Sequence, residues 1–187
     1  GSDVEILSSI DRKGKPLQTV ICRGCGLVWV DPRPSAEETK TFYAEEYRKQ
    51  YKATFEPKKK HVFRDMHRAI GRFQRIKPLL EKGMKVLDVG AGGGFFPYAV
   101  KSNGYEVSGI EPNKGYTQYA MEELQLDVKI GFIQDINFPA ESFDIITINH
   151  VLEHLEDPKA MLSRLFNWNR PGTYLNVEVP NIEATYH

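Results

Sequence analysis

The stretch VLDVGAGGGFF, Val86–Phe96, decides how this chain folds. Its opening VLDV reads as a short buried strand, and the glycines that follow run straight into FFPYAVKSNG, which has helical spacing. A loop without Cβ atoms turns sharply and lets a ligand lie against the backbone, so strand, glycines and helix together point to a nucleotide-type binding turn. The dinucleotide fingerprint G-x-G-x-x-G requires glycine at position 95, where this chain has Phe95. The glycines fall instead at Gly90, Gly92 and Gly94, with Gly93 between, giving G-x-G-x-G. An NAD-dependent oxidoreductase therefore stands only as the alternative, with Phe95 against it.

Downstream of this loop the pattern repeats. EVSGIEP is a second strand, YTQYAMEELQL a helix, DVKIGFI a third strand and SFDIITINHV a fourth. DPKAMLSRLFNW is a helix, capped by Asp157 with Pro158 at its first position, and TYLNVEVP is a fifth strand. Alternating elements with near-continuously apolar strands imply an α/β fold, a Rossmann-like doubly wound, mainly parallel sheet with helices on both faces.

Upstream, residues 1–34 hold the strand-like pieces QTVICR and LVWV among Gly14, Gly24, Gly26, Pro32 and Pro34, a small β-rich appendage. Residues 35–82 form a helical lid or linker region. Ser35 and Glu38 make a capping-box pattern there. From Pro57 to Lys82 the residues Phe63, Met66, Ile70, Phe73, Ile76 and Leu80 recur at helical spacing, and Arg64, Arg68, Arg72 and Arg75 occupy the other side. Between positions 58 and 85 there are ten Lys and Arg against two acids, Asp65 and Glu81. This row reads as a solvated face, or as a dock for a phosphorylated or otherwise acidic acceptor. Residues 83–187 are the core domain.

The 187 residues, 41% hydrophobic and 27% charged, suffice for one domain with a real core and a small appendage. Lys plus Arg equals Asp plus Glu at 25 each, so net charge favours neither nucleic acid nor a membrane surface. No apolar run reaches the roughly 18–20 residues of a span. A cytoplasmic protein is the expectation, and its oligomeric state is not readable.

From about residue 80 to residue 180 the chain resembles the class I S-adenosylmethionine-dependent methyltransferases. The resemblance rests on the G-x-G-x-G loop and the five successive elements around it. It implies that S-adenosylmethionine is the cofactor and S-adenosylhomocysteine the product. In that family the acid ending the second strand takes both ribose hydroxyls, which puts Glu111 of SGIEPN in that role. A carboxylate can accept two parallel hydrogen bonds from a vicinal diol. Asp88 and the Gly90 backbone resemble the positions that fix the methionine amine, with Ala91, Gly92, Gly94 and Phe95 continuing the loop along the cofactor. Adenine is expected near Pro112 and the segment GFIQDI. Relatives often carry an acidic or polar residue just after Gly131, where this chain has Phe132, so Gln134, Asp135 or the backbone must supply that contact, with Ile133 also expected along the cofactor. The family sheet normally has seven strands; the last strands are expected to be absent here.

INHVLEHLEDP, Ile148–Pro158, resembles the HVLEH segment of methyltransferases related to the ubiquinone-biosynthesis O-methyltransferases. On a helical turn His150, Glu153 and His154 share one face at i, i+3 and i+4. Three roles suit them. A histidine could act as general base for a small-molecule acceptor, or the group could clamp a divalent metal, or Glu153 and His154 could simply cap the loop. Some relatives place carboxylates and a histidine here as ligands; His150 stands at their first carboxylate, which weakens the case for Mg²⁺. His150 also neighbours the expected cofactor.

Three tyrosines, Tyr43, Tyr47 and Tyr51, form a stripe that is either core or a lid over cofactor and acceptor. Cys22 and Cys25, the chain's two cysteines, sit in CRGCG. Relatives carry such a pair as the second knuckle of a zinc ribbon. Residues 1–21 contain no cysteine or histidine, so a zinc site with four protein ligands is not expected, and a metal-free remnant is. Methyl transfer to a small-molecule acceptor is the expected function, with a non-catalytic cofactor-binding subunit as a further alternative. Nucleic acid is not an expected partner.

Overall fold

The computed structural model describes residues 3–11, 13–42, 57 and 59–181. The chain divides into two units, Gly1–Thr41 and Phe42–His187.

In the first unit β1 (Val4–Ile10), β2 (Pro16–Cys22) and β3 (Val28–Val30) form an antiparallel sheet in that order, followed by α1 (Ala36–Thr41). The β1 strand, VEILSSI, escaped the sequence reading because its pattern is mostly exposed and lacks a clean apolar alternation. Val20 on β2 is buried. The capping box forms: the Ser35 hydroxyl accepts from the Glu38 N–H at 3.2 Å, and the Glu38 carboxylate accepts from the Ser35 N–H at 2.8 Å.

The second unit begins, among the described residues, with α2 (Lys59–Ile76) and a 3₁₀ turn, Lys77–Leu79. Then β4 (Lys85–Val89), α3 (Phe95–Ser102), β5 (Glu106–Glu111), α4 (Lys114–Glu122), β6 (Asp127–Ile130) and β7 (Phe143–Asn149) follow. A second 3₁₀ turn, Leu152–His154, leads to α5 (Pro158–Trp168) and β8 (Asn169–Glu178). The five strands lie in the order β6-β5-β4-β7-β8, all parallel. This is the doubly wound α/β architecture. The chain winds outward from β4 to β6 and then crosses to β7, so the strand order reverses at β4, the place where such sheets open a ligand crevice at their carboxyl ends.

Side chains alternate across the sheet with period two. Val86 and Ile145 join Phe73, Ile76, Phe96 and Val100 in one cluster. Leu87, Ile146 and Ile148 join Ile110, Met161, Leu165 and Trp168 in another. Asp157 caps α5 by accepting from the Ala160 N–H at 2.9 Å, with Pro158 at the first position.

The expected stripe on α2 is one residue out of phase over its first half. The buried line is Ala69, Phe73 and Ile76, with Val62 and Met66 packed against it. Ile70 is 45% exposed and Phe63 72% exposed, the latter meeting the edge of His67 at 5.1 Å between ring centres. Both stripes satisfy a 3.6-residue period, and the small Ala69 is what lets the helix lie close on that side. Truncating Phe73 to alanine therefore lowers unfolding free energy by about 3–5 kcal/mol in chemical denaturation. Phe63→Ala shifts it by less than about 0.5 kcal/mol.

Candidate functional site

The crevice is built at the turn after β4. The N–H groups of Gly90 and Ala91 both donate to the Ile110 carbonyl, at 2.8 and 2.9 Å, tying the loop to β5. Gly90 and Gly94 each have φ of 79°, the left-handed region that costs a Cβ-bearing residue. Close contacts add a second reason. A Cβ on Gly90 would lie 2.3 Å from Val151 Cγ2, and one on Gly94 would lie 2.6 Å from Leu126 Cδ1 and 2.8 Å from Ala120 Cβ. Gly94 thus lets α3 start against α4, and Gly90 lets the segment after β7 approach the loop. The Ala91 side chain is buried among Ala120, Leu126 and Val128. Phe95, expected along the cofactor, buries its ring in the core beside Tyr119 and next to Gly93 of the loop.

Glu111 ends β5 almost fully buried, at 5% exposure. One carboxylate oxygen accepts from the Gly92 N–H at 2.8 Å and the other from the Asn113 N–H at 3.0 Å. A carboxylate has about four acceptor positions, so about two remain for a ligand. Asn113 in turn caps α4 by accepting from the Tyr116 N–H at 3.0 Å, and the half-buried Pro112 lies between.

Asp88 is 3% exposed and lies opposite Thr147 in the β4–β7 register. It accepts from the Thr147 hydroxyl at 2.6 Å and from the Asn149 amide at 3.5 Å. Burial pushes its carboxyl up to about 7, against the pull of the Thr147 bond, Arg72 and the Asn149 bond, and with the Glu111 charge pushing further up. The side-chain oxygen of Asn149 is buried with no hydrogen-bond partner. An acid half-neutralised by burial and a vacant acceptor beside it together suit a cationic N–H donor.

The segment after β6 is fixed at both ends. The Gly131 N–H donates to the Glu111 carbonyl at 3.1 Å, and Arg164 of α5 donates to the carbonyls of Gln134 and Ile136 at 2.9 and 2.6 Å. Phe132 is half-buried, while Gln134 and Asp135 are exposed. The Ile133 side chain packs into the core with Ile110 and Ile148, so its expected contact with the cofactor falls to its backbone.

After β7 the chain breaks at His150, which has φ of 53°. His150 precedes the 3₁₀ turn rather than lying on it, so the expected single helical face is not what gathers the three residues. They nonetheless converge on Glu153: its Oε1 is 3.7 Å from His150 Nδ1 and 3.7 Å from His154 Nε2. Burial lowers the His154 imidazole below its usual range, with the Glu153 charge opposing, which leaves it neutral near pH 7. Among the described residues no group of three His, Cys, Asp or Glu side chains could hold a metal ion.

The arginine row is not wholly solvated. Arg72 and Arg75 both donate to Glu178, and Arg64 pairs with Asp65. Tyr43, Tyr47 and Tyr51 lie outside the described residues. In the first unit Cys22 is half-buried and Cys25 exposed, both as free thiols. Backbone N–H groups of Cys25 and Gly24 hold the Cys22 thiol below its usual range. Among the described residues no helix is long and apolar enough to cross a membrane.

Four residues escaped the sequence reading: Thr147, Asn149, Glu178 and Arg72 in its pairing role. Each of the first three lies at or near the carboxyl end of a parallel strand, and that rule alone could have drawn them in.

The methyltransferase-domain family model matches residues 58–186. The ubiquinone biosynthesis O-methyltransferase of Coxiella burnetii is 32% identical over 96 residues, covering 49% of this chain and 41% of that protein. Phosphoethanolamine N-methyltransferase 1 of Arabidopsis thaliana is 28% identical over 172 residues, covering 86% of this chain and 34% of its own. The structure of Haemonchus contortus phosphoethanolamine N-methyltransferase 1, in complex with phosphoethanolamine and S-adenosylhomocysteine, superposes with a TM-score of 0.64 at 17% identity. That superposition covers 80% of this chain and 34% of the other. The chain thus spans less than half the length of these relatives. With a model match over most of its length, a parallel sheet that reverses at β4 and a G-x-G-x-G turn closed by Glu111, the chain belongs to the methyltransferase-domain family.

Proposed function

We propose that this chain transfers a methyl group from S-adenosylmethionine to a hydroxyl or amine of a small-molecule acceptor, with His150 as the group that takes the acceptor's proton. The observation that carries this reading is the pairing of a buried, half-neutralised Asp88 with the vacant acceptor on Asn149, one strand away from Glu111. In this reading Asp88 and Asn149 hold the methionine ammonium and Glu111 holds the ribose hydroxyls. The main chain of Gly90–Gly94 lies along the cofactor, and Pro112 with residues 132–135 flanks the adenine. The cofactor supplies a methyl group already activated on its sulfonium.

What remains for the protein is orientation, exclusion of water and removal of one proton. The glycine turn and the N-terminus of α3 fix the site by main-chain contacts, which lose little entropy on binding. His150 is well suited to receive the proton because its half-exposed imidazole carries a nitrogen lone pair that an acceptor can reach. Among the relatives one is named for O-methylation and one for N-methylation, and either acceptor sheds a proton as methyl arrives. The rigid seat of Phe95 in the core argues against the NAD-dependent alternative, whose fingerprint needs glycine there.

The test is transfer of labelled methyl from S-adenosylmethionine to a panel of catechols and phosphorylated amino alcohols. His150→Ala is expected to lower kcat about 10²- to 10⁴-fold while cofactor affinity holds. A variant as fast as wild type removes His150 from the chemistry. Asp88 gives a second, ligand-free prediction. Its folded carboxyl keeps a proton up to about pH 7, whereas the unfolded chain releases it near the usual 3.8. The folded state therefore binds more protons between those values, and stability falls as pH rises from about 4 to about 7, then levels. Melting temperatures across that range should lose this slope in Asp88→Asn. The same variant should weaken S-adenosylhomocysteine binding about tenfold or more, measured by calorimetry.

A further inference from the structure

Glu178, the last residue of β8, lies outside every role assigned above, yet four groups converge on it. Its Oε1 accepts from Arg72 Nη2 at 2.5 Å and Arg72 Nε at 3.2 Å, and its Oε2 accepts from Arg75 Nη2 at 2.7 Å. His150 Nε2 lies 3.1 Å from the same Oε1. The main chain adds a fourth link, because the His150 N–H donates to the Glu178 carbonyl at 2.8 Å. Thus one residue holds both the backbone and the imidazole of His150, at a position whose φ of 53° costs a non-glycine residue about 1 kcal/mol.

We propose that Glu178 is the positioning residue for His150: its carboxylate charge, 3.1 Å from Nε2, favours the proton on that nitrogen and leaves the Nδ1 lone pair as the atom that takes the acceptor's proton. This rests on the base role of His150 proposed above. The neutral imidazole carries one proton, and a carboxylate oxygen 3.1 Å from Nε2 repels a lone pair on that nitrogen and so favours the proton there. Nδ1 is then the basic atom. Its neighbour is Glu153 Oε1 at 3.7 Å, too far for a hydrogen bond but near enough to favour the imidazolium once Nδ1 is protonated. The proton moves from the acceptor's O–H or N–H to Nδ1, and no electron is gained or lost by the protein.

The two arginines explain how Glu178 can do this half-buried. Their bonds hold its carboxyl below the usual carboxylate range, Arg72 foremost, so it stays ionised near neutral pH. Among the described residues the charged and titratable partners of His150 are Glu178 on β8, Glu153 and His154 on the 3₁₀ turn, and Arg72 and Arg75 of α2 acting through Glu178. Arg72 also reaches Asp88 electrostatically, so the same guanidinium serves both halves of the site.

Nitrogen-15 NMR of the ligand-free protein at pH 8 tests this without any acceptor. Wild type is expected to show His150 as a single Nε2–H tautomer, with Nδ1 at the shift of an unprotonated nitrogen. Glu178→Gln should mix the tautomers, since a neighbouring negative charge is lost. An Nδ1–H tautomer in wild type overturns the proposal even if the variant does not fold. An unchanged tautomer in a folded Glu178→Gln protein overturns it too. In transfer assays Glu178→Gln should lower kcat about tenfold in wild type but not in the His150→Ala background. A tenfold loss in both backgrounds means Glu178 acts elsewhere and overturns the proposal. Because the NMR result needs no chemistry, its failure is separate from failure of the base role, which the His150→Ala rate decides.

Discussion

The carboxyl edge of the sheet depends on a contact that leaves no room for a Cβ. Any side chain at Gly90 would run into Val151 Cγ2 at 2.3 Å, and Val151 follows His150 directly. The glycine turn and the segment that carries His150, Glu153 and His154 are therefore set by the same close approach. Widening it would move the segment proposed to accept the proton away from the turn proposed to hold the cofactor. The left-handed φ of 79° at Gly90 makes the same demand from within the backbone. Both halves of the site inherit their spacing from one missing methyl group.

Around that contact three carboxylates sit at the ends of three strands, and each is kept by a different means. Glu111 on β5 is stabilised by backbone N–H groups from Gly92 and Asn113. Glu178 on β8 is stabilised by Arg72 and Arg75. Asp88 on β4 has only Thr147, a long bond to Asn149 and a more distant Arg72, so burial prevails and its proton stays on up to about pH 7. Asp88 and Glu178 thus titrate in opposite directions because desolvation, hydrogen bonding and nearby cations act in different proportions. The one that lacks a full partner lies beside the buried, vacant oxygen of Asn149. That is where a cationic group would be received.

The parallel sheet was legible because apolar strands, glycines and helix caps act locally. VLDVG, the G-x-G-x-G turn, the Asp157 cap and the acid ending SGIE all lie where short-range pattern puts them. Local signals end where long-range packing begins. On α2 two stripes fit the helical period equally well, and only the closeness permitted by Ala69 selects the one through Val62, Met66 and Phe73. Phe95 and Ile133 were expected beside the cofactor on family position, yet the core claims both side chains. Glu178 is separated from Arg72 by 106 residues, and no periodicity links positions that far apart. Its contacts arise only when β8 lies beside β7 and brings Glu178 opposite Asn149. The His150–Glu153–His154 spacing was legible, but the left-handed turn at His150 that actually gathers them was not.

Calorimetric titration of the ligand-free protein with S-adenosylhomocysteine and, separately, with NAD bears most directly on the reading of VLDVGAGGGFF as a sulfonium-cofactor loop. The reading predicts saturable one-to-one binding of S-adenosylhomocysteine, with protons released below pH 7 as Asp88 ionises against the ammonium, and no heat from NAD. Saturable binding of NAD, or silence with S-adenosylhomocysteine, would contradict it.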